Sequence, residues 1–299
     1  MSVTDQTTAP TTSACCAPAS IQPIASTETL AHELPTDAAS VRASVRETYA
    51  AIATGEGDGL CGCNLDQVNF IGEGYGDTEG YAAMADLNLG CGVPTELAQI
   101  EPGHTVLDLG SGAGVDAFVA RRIVGEDGAV LGVDMTPVMV EKARANAATL
   151  GYDNVVFRLG EIEAMPVEAG SVDVVISNCV LNLVPDKARA FAEMARVVKP
   201  GGHFCVSDIV TRGALPPSVQ RSAELWAGCV AGAMEEGAYL DGLRAAGFEG
   251  VEVRAARRLD LPDDALAAWL SPAQISTYRA SGGGLYSVTV FGVKPASAW

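Results

Sequence analysis

The chain has 299 residues, 48% of them hydrophobic, and a formal charge of −18 at pH 7. This is enough for one large domain, or a domain with an appendage, around a sizeable core. The acidic balance argues against nucleic acid as a partner, because phosphates call for a basic surface; the plainer reading of the charge is solubility or a salt-tolerant host. No apolar run approaches the roughly 20 residues of a membrane span. The opening M-S-V-T-D-Q-T-T-A-P lacks the basic start and apolar middle of a secretion signal, so a soluble, cytoplasmic protein is expected.

Residues 1–40 are rich in Thr, Ala, Ser and Pro with little periodicity, and read as a flexible tail. The tail carries Cys15-Cys16, either an incidental pair or a capture site for a soft metal or metalloid. Residues 41–102 form an N-terminal helical and cysteine-loop segment. Its first part, residues 40–54, places Val41, Val45, Tyr49 and Ile52 on one helical face. A glycine-rich loop with Cys61 and Cys63 follows. Tyr81 to Leu87 reads as a short helix, Leu89-Gly90-Cys91-Gly92 as an exposed turn, and Pro94 as the opening of another helix.

From residue 103 to 210 the strand–helix alternation is regular. Strands are expected at Thr105–Leu109, Ala129–Val133, Val155–Leu159, Val172–Ser177 and His203–Ser207, with helices at Val115–Val124, Pro137–Leu150 and Lys187–Val197. Apolar strands separated by helices imply a parallel, doubly wound sheet. K-P-G-G, Lys199 to Gly202, reads as a helix stop and turn into the fifth strand. Residues 211–299 supply covering helices and terminal strands. Residues 215–247 read as helical, Val251–Ala255 as a strand, and residues 262–280 as mostly helical with Trp269 and Tyr278 packing. The closing strand is Leu285–Val293, and the glycines before it act as a hinge, since no helix follows them.

Eight cysteines are spread along this plan: Cys15, Cys16, Cys61, Cys63, Cys91, Cys179, Cys205 and Cys229. In a reducing compartment such residues fill cores, ligate metals or do thiol chemistry. No paired C-x-x-C is present and the histidines are only His32, His104 and His203, which disfavours a structural zinc site. Three cysteines in glycine loops ahead of the main domain favour chemistry over packing. Cys205, inside a strand between Phe204 and Val206, reads as core.

Val106 to Gly114, V-L-D-L-G-S-G-A-G, is a strand, a glycine turn and a helix start, the arrangement that brings backbone N–H groups up to a ligand. Its glycines, Gly110, Gly112 and Gly114, are spaced G-x-G-x-G rather than the G-x-G-x-x-G of a dinucleotide fold. Asp134, about 20 residues beyond the loop, ends the second strand where a carboxylate can hold two ribose hydroxyls. Gly160-Glu161-Ile162-Glu163 ends the third, where an adenine edge can be bracketed.

Together, V-L-D-L-G-S-G-A-G, V-D-M-T, L-G-E-I-E and K-P-G-G closely resemble the class I S-adenosylmethionine (SAM) methyltransferases. The resemblance implies an α/β fold: a Rossmann-like sheet with helices on both faces, a last strand antiparallel to the rest, and here an N-terminal cysteine-bearing segment and C-terminal helix and strand additions. It places Asp108 near the amino group of the methionine moiety, a charge-assisted pairing. Gly110, Ser111 and Gly112 face the cofactor and Asp134 takes the ribose. Met135, Gly160, Glu161, Ile162 and Asn178 complete the cofactor set. Asn178 and Asn182, which flank Cys179, also suit turn-forming bonds to backbone.

Cys179 directly follows strand four, beside the point where strand order reverses and ligands bind. A small apolar crevice residue would also suit that place. Several sulfurs together, however, suit a soft, thiophilic atom. The phrases N-L-G-C-G-V-P, S-N-C-V-L-N-L-V-P-D-K and E-L-W-A-G-C-V-A-G-A resemble those of arsenite methyltransferases, from about Val45 to Phe248. By context the family's four cysteines fall on Cys63, Cys91, Cys179 and Cys229, with Cys61 the competitor of Cys63.

The resemblance implies As(III) held by thiolates of Cys91, Cys179 and Cys229, and an arsenic lone pair that attacks the sulfonium methyl. A cysteine pair such as Cys63 with Cys91 would return the electrons as a disulfide, reduced in turn by thioredoxin or glutathione. Two rivals remain at this stage. One is a C- or O-methyltransferase of a small organic molecule, which has no use for four convergent cysteines. The other is an inactive metalloid-binding protein, against which the intact Asp108, Gly110, Gly112 and Asp134 set argues.

Overall fold

The computed structural model describes residues 37–55, 75, 78–213, 232–260, 263–267 and 270–296. Cys15-Cys16, the loop with Cys61 and Cys63, the segment with Cys229, and Trp269 lie outside the described residues.

Strand β1 (Thr105–Leu109) pairs in parallel with β2 (Ala129–Asp134) on one side and β4 (Val172–Asn178) on the other. Strand β3 (Val155–Leu159) lies outside β2, and β5 (Val198–Arg212) lies beyond β4, both parallel. The chain reaches these strands through helices, because parallel neighbours need a crossover. Helix α3 (Val115–Val124) joins β1 to β2, α4 (Pro137–Leu150) joins β2 to β3, and α5 (Lys187–Val197) joins β4 to β5. The two ahead of the sheet are α1 (Ala38–Thr54) and the one-turn α2 (Pro94–Leu97).

After β5 come a two-residue strand β6 (Met234–Glu235), α6 (Glu236–Ala245), β7 (Glu249–Leu259), short helices α7 (Asp263–Leu266) and α8 (Pro272–Ala280), and β8 (Gly284–Val293). Strand β8 inserts antiparallel between β5 and β7, giving the order β3-β2-β1-β4-β5-β8-β7. This is the class I methyltransferase topology expected from the sequence, with the order reversing between β1 and β4.

Covering both faces explains why the strands are apolar at successive positions rather than alternate ones. On one face Leu107, Leu109, Val175, Phe204 and Val206 pack with Phe191 of α5 and Tyr239 of α6. On the other, Val106, Val174, Ile176 and Cys205 pack with Phe118 of α3 and Val140 of α4. The helix ends follow local chemistry. Asp37 caps α1 by accepting from the Ser40 amide at 2.9 Å, and Asp186 caps α5 through the Arg189 amide at 3.0 Å. Pro137 opens α4, and Gly151 closes it in the left-handed region.

Three elements differ from the sequence reading. The fifth strand starts at Val198, because Lys199–Gly202 does not turn away. Gly201 N donates to Lys294 O and Lys294 N to Gly202 O, so the segment stays in the sheet as a bulge. Tyr81 to Leu87 holds only a 3-10 turn at Ala83–Ala85, with the Tyr81 hydroxyl tied to Asp86 at 2.9 Å. The described end of residues 215–247 is β6 followed by α6, so the helical pattern is interrupted there.

Candidate active site

The glycine loop is shaped by contacts that exclude side chains. Gly110 has φ +63, and a Cβ there would lie 2.4 Å from Val180 Cγ1. The close approach seats the loop beneath the turn that follows strand four. The Gly110 and Ser111 amides donate to Val133 O at 2.7 and 3.1 Å. The Gly112 amide donates to Asp134 Oδ2 at 3.0 Å, and Asp134 Oδ1 takes the Thr136 amide at 2.8 Å. Asp134 therefore ties the loop to the start of α4 while lining the crevice.

That crevice lies at the C-terminal ends of β1 to β4, lined by Asp108, Ser111, Asp116, Asp134, Ile162 and Cys179 among others. Gly110, Gly112, Met135 and Gly160 also line it. Asp108 is only 2% exposed. Its Oδ2, Ser111 Oγ and Asp116 Oδ1 are buried without a hydrogen-bond partner. Buried carboxylate oxygens left open are costly unless a ligand supplies charge or donors.

Burial, and then the neighbouring Asp116 and Asp134, push the Asp108 carboxyl well above its ordinary range. Burial pushes Asp116 up to about 6, against the Tyr75 and Asn178 hydrogen bonds that favour its ionised form. Asp134 is raised by burial as well, opposed by the Thr136 and Gly112 amides. A clustered acidic pocket with unfilled acceptors fits a cationic ligand, and SAM carries an ammonium and a sulfonium. The residues present fit that cofactor.

Strand four delivers the thiol. Cys179 adopts φ +61, an uncommon conformation for a non-glycine residue, and its amide donates to Ser207 O at 2.7 Å. Its side chain is 3% exposed at the edge of the crevice. Cys91 is 0% exposed, so its turn is not the exposed one expected. The turn is covered because Ser287 of β8 donates to Cys91 O at 2.6 Å and Ser207 of β5 packs against Gly92. Both are contributions from distant sequence. Cys91 and Cys179 thereby fall in one apolar cluster with Val45, Leu183, Ile209 and Tyr278.

The remaining expected residues are placed as follows. Glu161 does not line the crevice. Its carboxylate, 41% exposed, faces Arg42 and Arg46, and Glu163 lines the crevice in its place while bonding Arg42 at 3.0 Å. Asn178 spends its carboxamide on the Cys91 turn: Oδ1 accepts from the Cys91 and Gly92 amides, at 3.0 and 3.3 Å. Asn182 Nδ2 donates to Ile209 O at 2.6 Å. Cys205 is core, with burial pushing its thiol up to about 12. Sequence reasoning missed Asp116, Tyr75 and Arg42. Asp116 is visible in the sequence as an acid in the first helical turn after the glycine loop, but its burial is not. Tyr75 and Arg42 come from segments whose docking no local pattern records.

Residues 100–264 match the methyltransferase domain family. An arsenite methyltransferase of Halobacterium salinarum is 43% identical over 87% of this chain and 68% of its own length. The chain belongs to the arsenite methyltransferase family. A second relative of that name, from Aquipseudomonas alcaligenes, is 37% identical over 64% of this chain and 57% of its own length. The chain thus spans between half and about two thirds of these relatives. A solved arsenic(III) SAM methyltransferase from Chlamydomonas reinhardtii has a TM-score of 0.60 at 39% identity, covering 69% of this chain and 68% of that one.

Membership of this family carries with it the class I SAM methyltransferase assignment. Among the described residues no group of three or more His, Cys, Asp and Glu is placed to hold a metal, and of the four cysteines expected from the sequence to act, Cys91 and Cys179 are described. No described helix is long and apolar enough to cross a membrane.

Proposed function

We propose that this protein transfers a methyl group from SAM to trivalent arsenic held by cysteine thiolates, as an arsenic detoxification enzyme. The observation that carries this is that Cys91 and Cys179 belong to one buried cluster, with Cys179 also lining the acidic crevice. A C- or O-methyltransferase would give an organic substrate that place in the crevice and would have no use for a second buried thiol in the same cluster.

When bound, SAM supplies an activated methyl on a sulfonium. The chain's residues bind and orient. Asp108 and Asp116 present open carboxylate oxygens to the ammonium, Ser111 offers its hydroxyl, and the loop about Gly110 and Gly112, its amides spent on Val133 O and Asp134, gives the cofactor a surface without side chains. Asp134 and Met135 flank the ribose, with Gly160, Ile162 and Glu163 at the adenine end. On the substrate side Cys179 and Cys229 are the arsenic ligands in this reading, with Cys91 a third in at least one state. Three sulfurs leave arsenic pyramidal with its lone pair free for the methyl carbon. No general base is required, since the reacting atom has no proton to lose. The apolar residues about Cys91 and Cys179 exclude water, and the gain is mainly one of positioning.

Attack by the lone pair takes two electrons from arsenic. A cysteine pair such as Cys63 and Cys91 returns them by closing a disulfide, and thioredoxin or glutathione reopens it by thiol exchange. The test is product analysis after incubation with SAM, arsenite and a thiol. Methylated arsenicals are expected from the wild type. Cys179→Ser and Cys229→Ser should each abolish them while SAM affinity stays within about threefold. Robust turnover by either variant would sink the thiolate site.

A further inference from the structure

Asn178 lines the crevice, and its side chain reaches across to the Cys91 turn. Its Oδ1 accepts from both amides of the Cys91–Gly92 turn, at 3.0 and 3.3 Å. Its Nδ2 donates to Gly92 O at 2.7 Å, and its second hydrogen lies between Tyr75 Oη at 2.9 Å and Asp116 Oδ2 at 3.2 Å. One carboxamide therefore meets three backbone groups of a turn that is 86 to 87 residues away in sequence.

The two glycines beside Cys91 are what make this approach possible. A Cβ on Gly90 would sit 2.6 Å from Asn178 Nδ2, and one on Gly92 would sit 2.7 Å from Ser207 Oγ. Across the turn, Ser287 Oγ holds Cys91 O at 2.6 Å. Both backbone groups of Cys91, its amide and its carbonyl, are thus fixed by side chains from the sheet. Cys179 is the next residue after Asn178, and its own amide is fixed to Ser207 O.

We infer that Asn178 is a positioning residue for the arsenic ligands: by clamping the Cys91–Gly92 turn to the end of strand four, it sets the Cys91 sulfur against that of Cys179. The inference rests on the arsenite reading for its chemistry, though the clamp itself does not. It assigns to Asn178, which also lines the crevice, a part in the substrate site beside the cofactor contact expected from the sequence. Nδ2 also meets Asp116 Oδ2, but Tyr75 Oη holds that oxygen independently at 2.6 Å, and the Asp116 oxygen open to the crevice is the other one. Two soft ligands give a tight site only if their spacing is fixed before the metalloid arrives, because each freely rotating ligand adds ordering cost to binding.

The experiment compares wild type, Asn178→Ala and Ser287→Ala by three readouts. Amide hydrogen exchange of the peptide with Cys91 and Gly92 reports the clamp and needs no arsenic. Titration with arsenite, followed by arsenic–thiolate ultraviolet absorption, reports the ligand pair. Calorimetry with SAM reports the cofactor site. For Asn178→Ala the expectation is faster exchange at Cys91–Gly92, arsenite affinity down tenfold or more, and SAM affinity within about threefold. Ser287→Ala should show the same pattern with a smaller loss, and it decides the matter if Asn178→Ala does not fold.

Unchanged exchange and arsenite affinity in the variants would overturn the inference. So would a loss confined to SAM binding, which would leave Asn178 to the cofactor set alone. A wild type that fails to bind arsenite but shows a protected turn released by Asn178→Ala would instead refute the arsenite reading and leave the clamp standing.

Discussion

Asp108 shows how one residue carries the cofactor choice. It sits inside a strand, where an acid is unfavourable, at 2% exposure and with one carboxylate oxygen lacking any partner. Proton uptake relieves that arrangement in the ligand-free protein, and a cationic ligand relieves it when one binds. Asp108→Asn keeps the shape and removes the charge. A hydrogen bond to a charged group is worth about 1.5–3 kcal/mol, so SAM affinity should fall roughly 10- to 100-fold, measured by calorimetry, while the melting temperature without ligand holds or rises. An unchanged SAM affinity would place the ammonium elsewhere.

This position was legible in the sequence, because an acid two residues before the first glycine of the loop is a local pattern. Cys205 was legible as core for the same reason, since flanking Phe204 and Val206 mark a strand. Glu161 and Glu163 were not separable by sequence. They are two residues apart and point to different environments, and Arg42, on a helix far away in the chain, meets both.

Among elements, the Cys91 turn departs most from what its sequence suggests. Glycines flanking a cysteine read as a flexible, exposed turn, yet here they allow tight packing. Gly92 sits where a Cβ would meet Ser207 Oγ at 2.7 Å and Ser207 Cβ at 2.9 Å. Strand β5 cannot yield, because Ser207 O holds the Cys179 amide and Ser207 Oγ shares a hydrogen bond with Thr289 Oγ1. Overpacking of this kind typically costs about 1–3 kcal/mol.

Gly92→Ala should therefore lower arsenite methylation at least tenfold with SAM affinity retained, and Ser207→Gly in the same chain should restore part of it by opening the space. Failure of that rescue, in assays of both variants, would mean that the turn is held by something other than this packing. The strands and helices of the sheet could be read in advance because β1, β3, α3, α4 and α5 are set by local periodicity, glycine stops and Asp or Pro starts. The turn could not, because what buries it comes from β5 and β8, more than a hundred residues away.

At the scale of the whole molecule, the second buried acid of the sheet governs stability rather than ligand choice. Asp208 lies on β5 beneath α6, where its Oδ1 accepts from the Ile209 amide at 3.0 Å and its Oδ2 from the Tyr239 hydroxyl at 3.3 Å. Burial outweighs these bonds and pushes its carboxyl up to about 7. A group whose folded pKa is raised binds its proton more strongly in the native state. Its contribution to stability is complete below the unfolded value of 3.8 and is lost as pH rises through about 7.

Glu193 works in the other direction and in another window. Its carboxyl is held low by the Arg196 hydrogen bonds, so what it contributes is present above its ordinary 4.5 and lost as pH falls below that. Between pH 5 and 8 the Asp208 effect is thus free of it. The urea midpoint of the ligand-free protein should fall across that range, with Asp108, Asp116 and Asp134, also raised by burial, adding to the fall; Asp208→Asn should make it shallower without removing it, because a carboxamide keeps an acceptor for Ile209 and has no proton to lose. Equal slopes for wild type and Asp208→Asn would show that the charge on β5 is met by a group other than Tyr239 and the Ile209 amide, or that solvent reaches it.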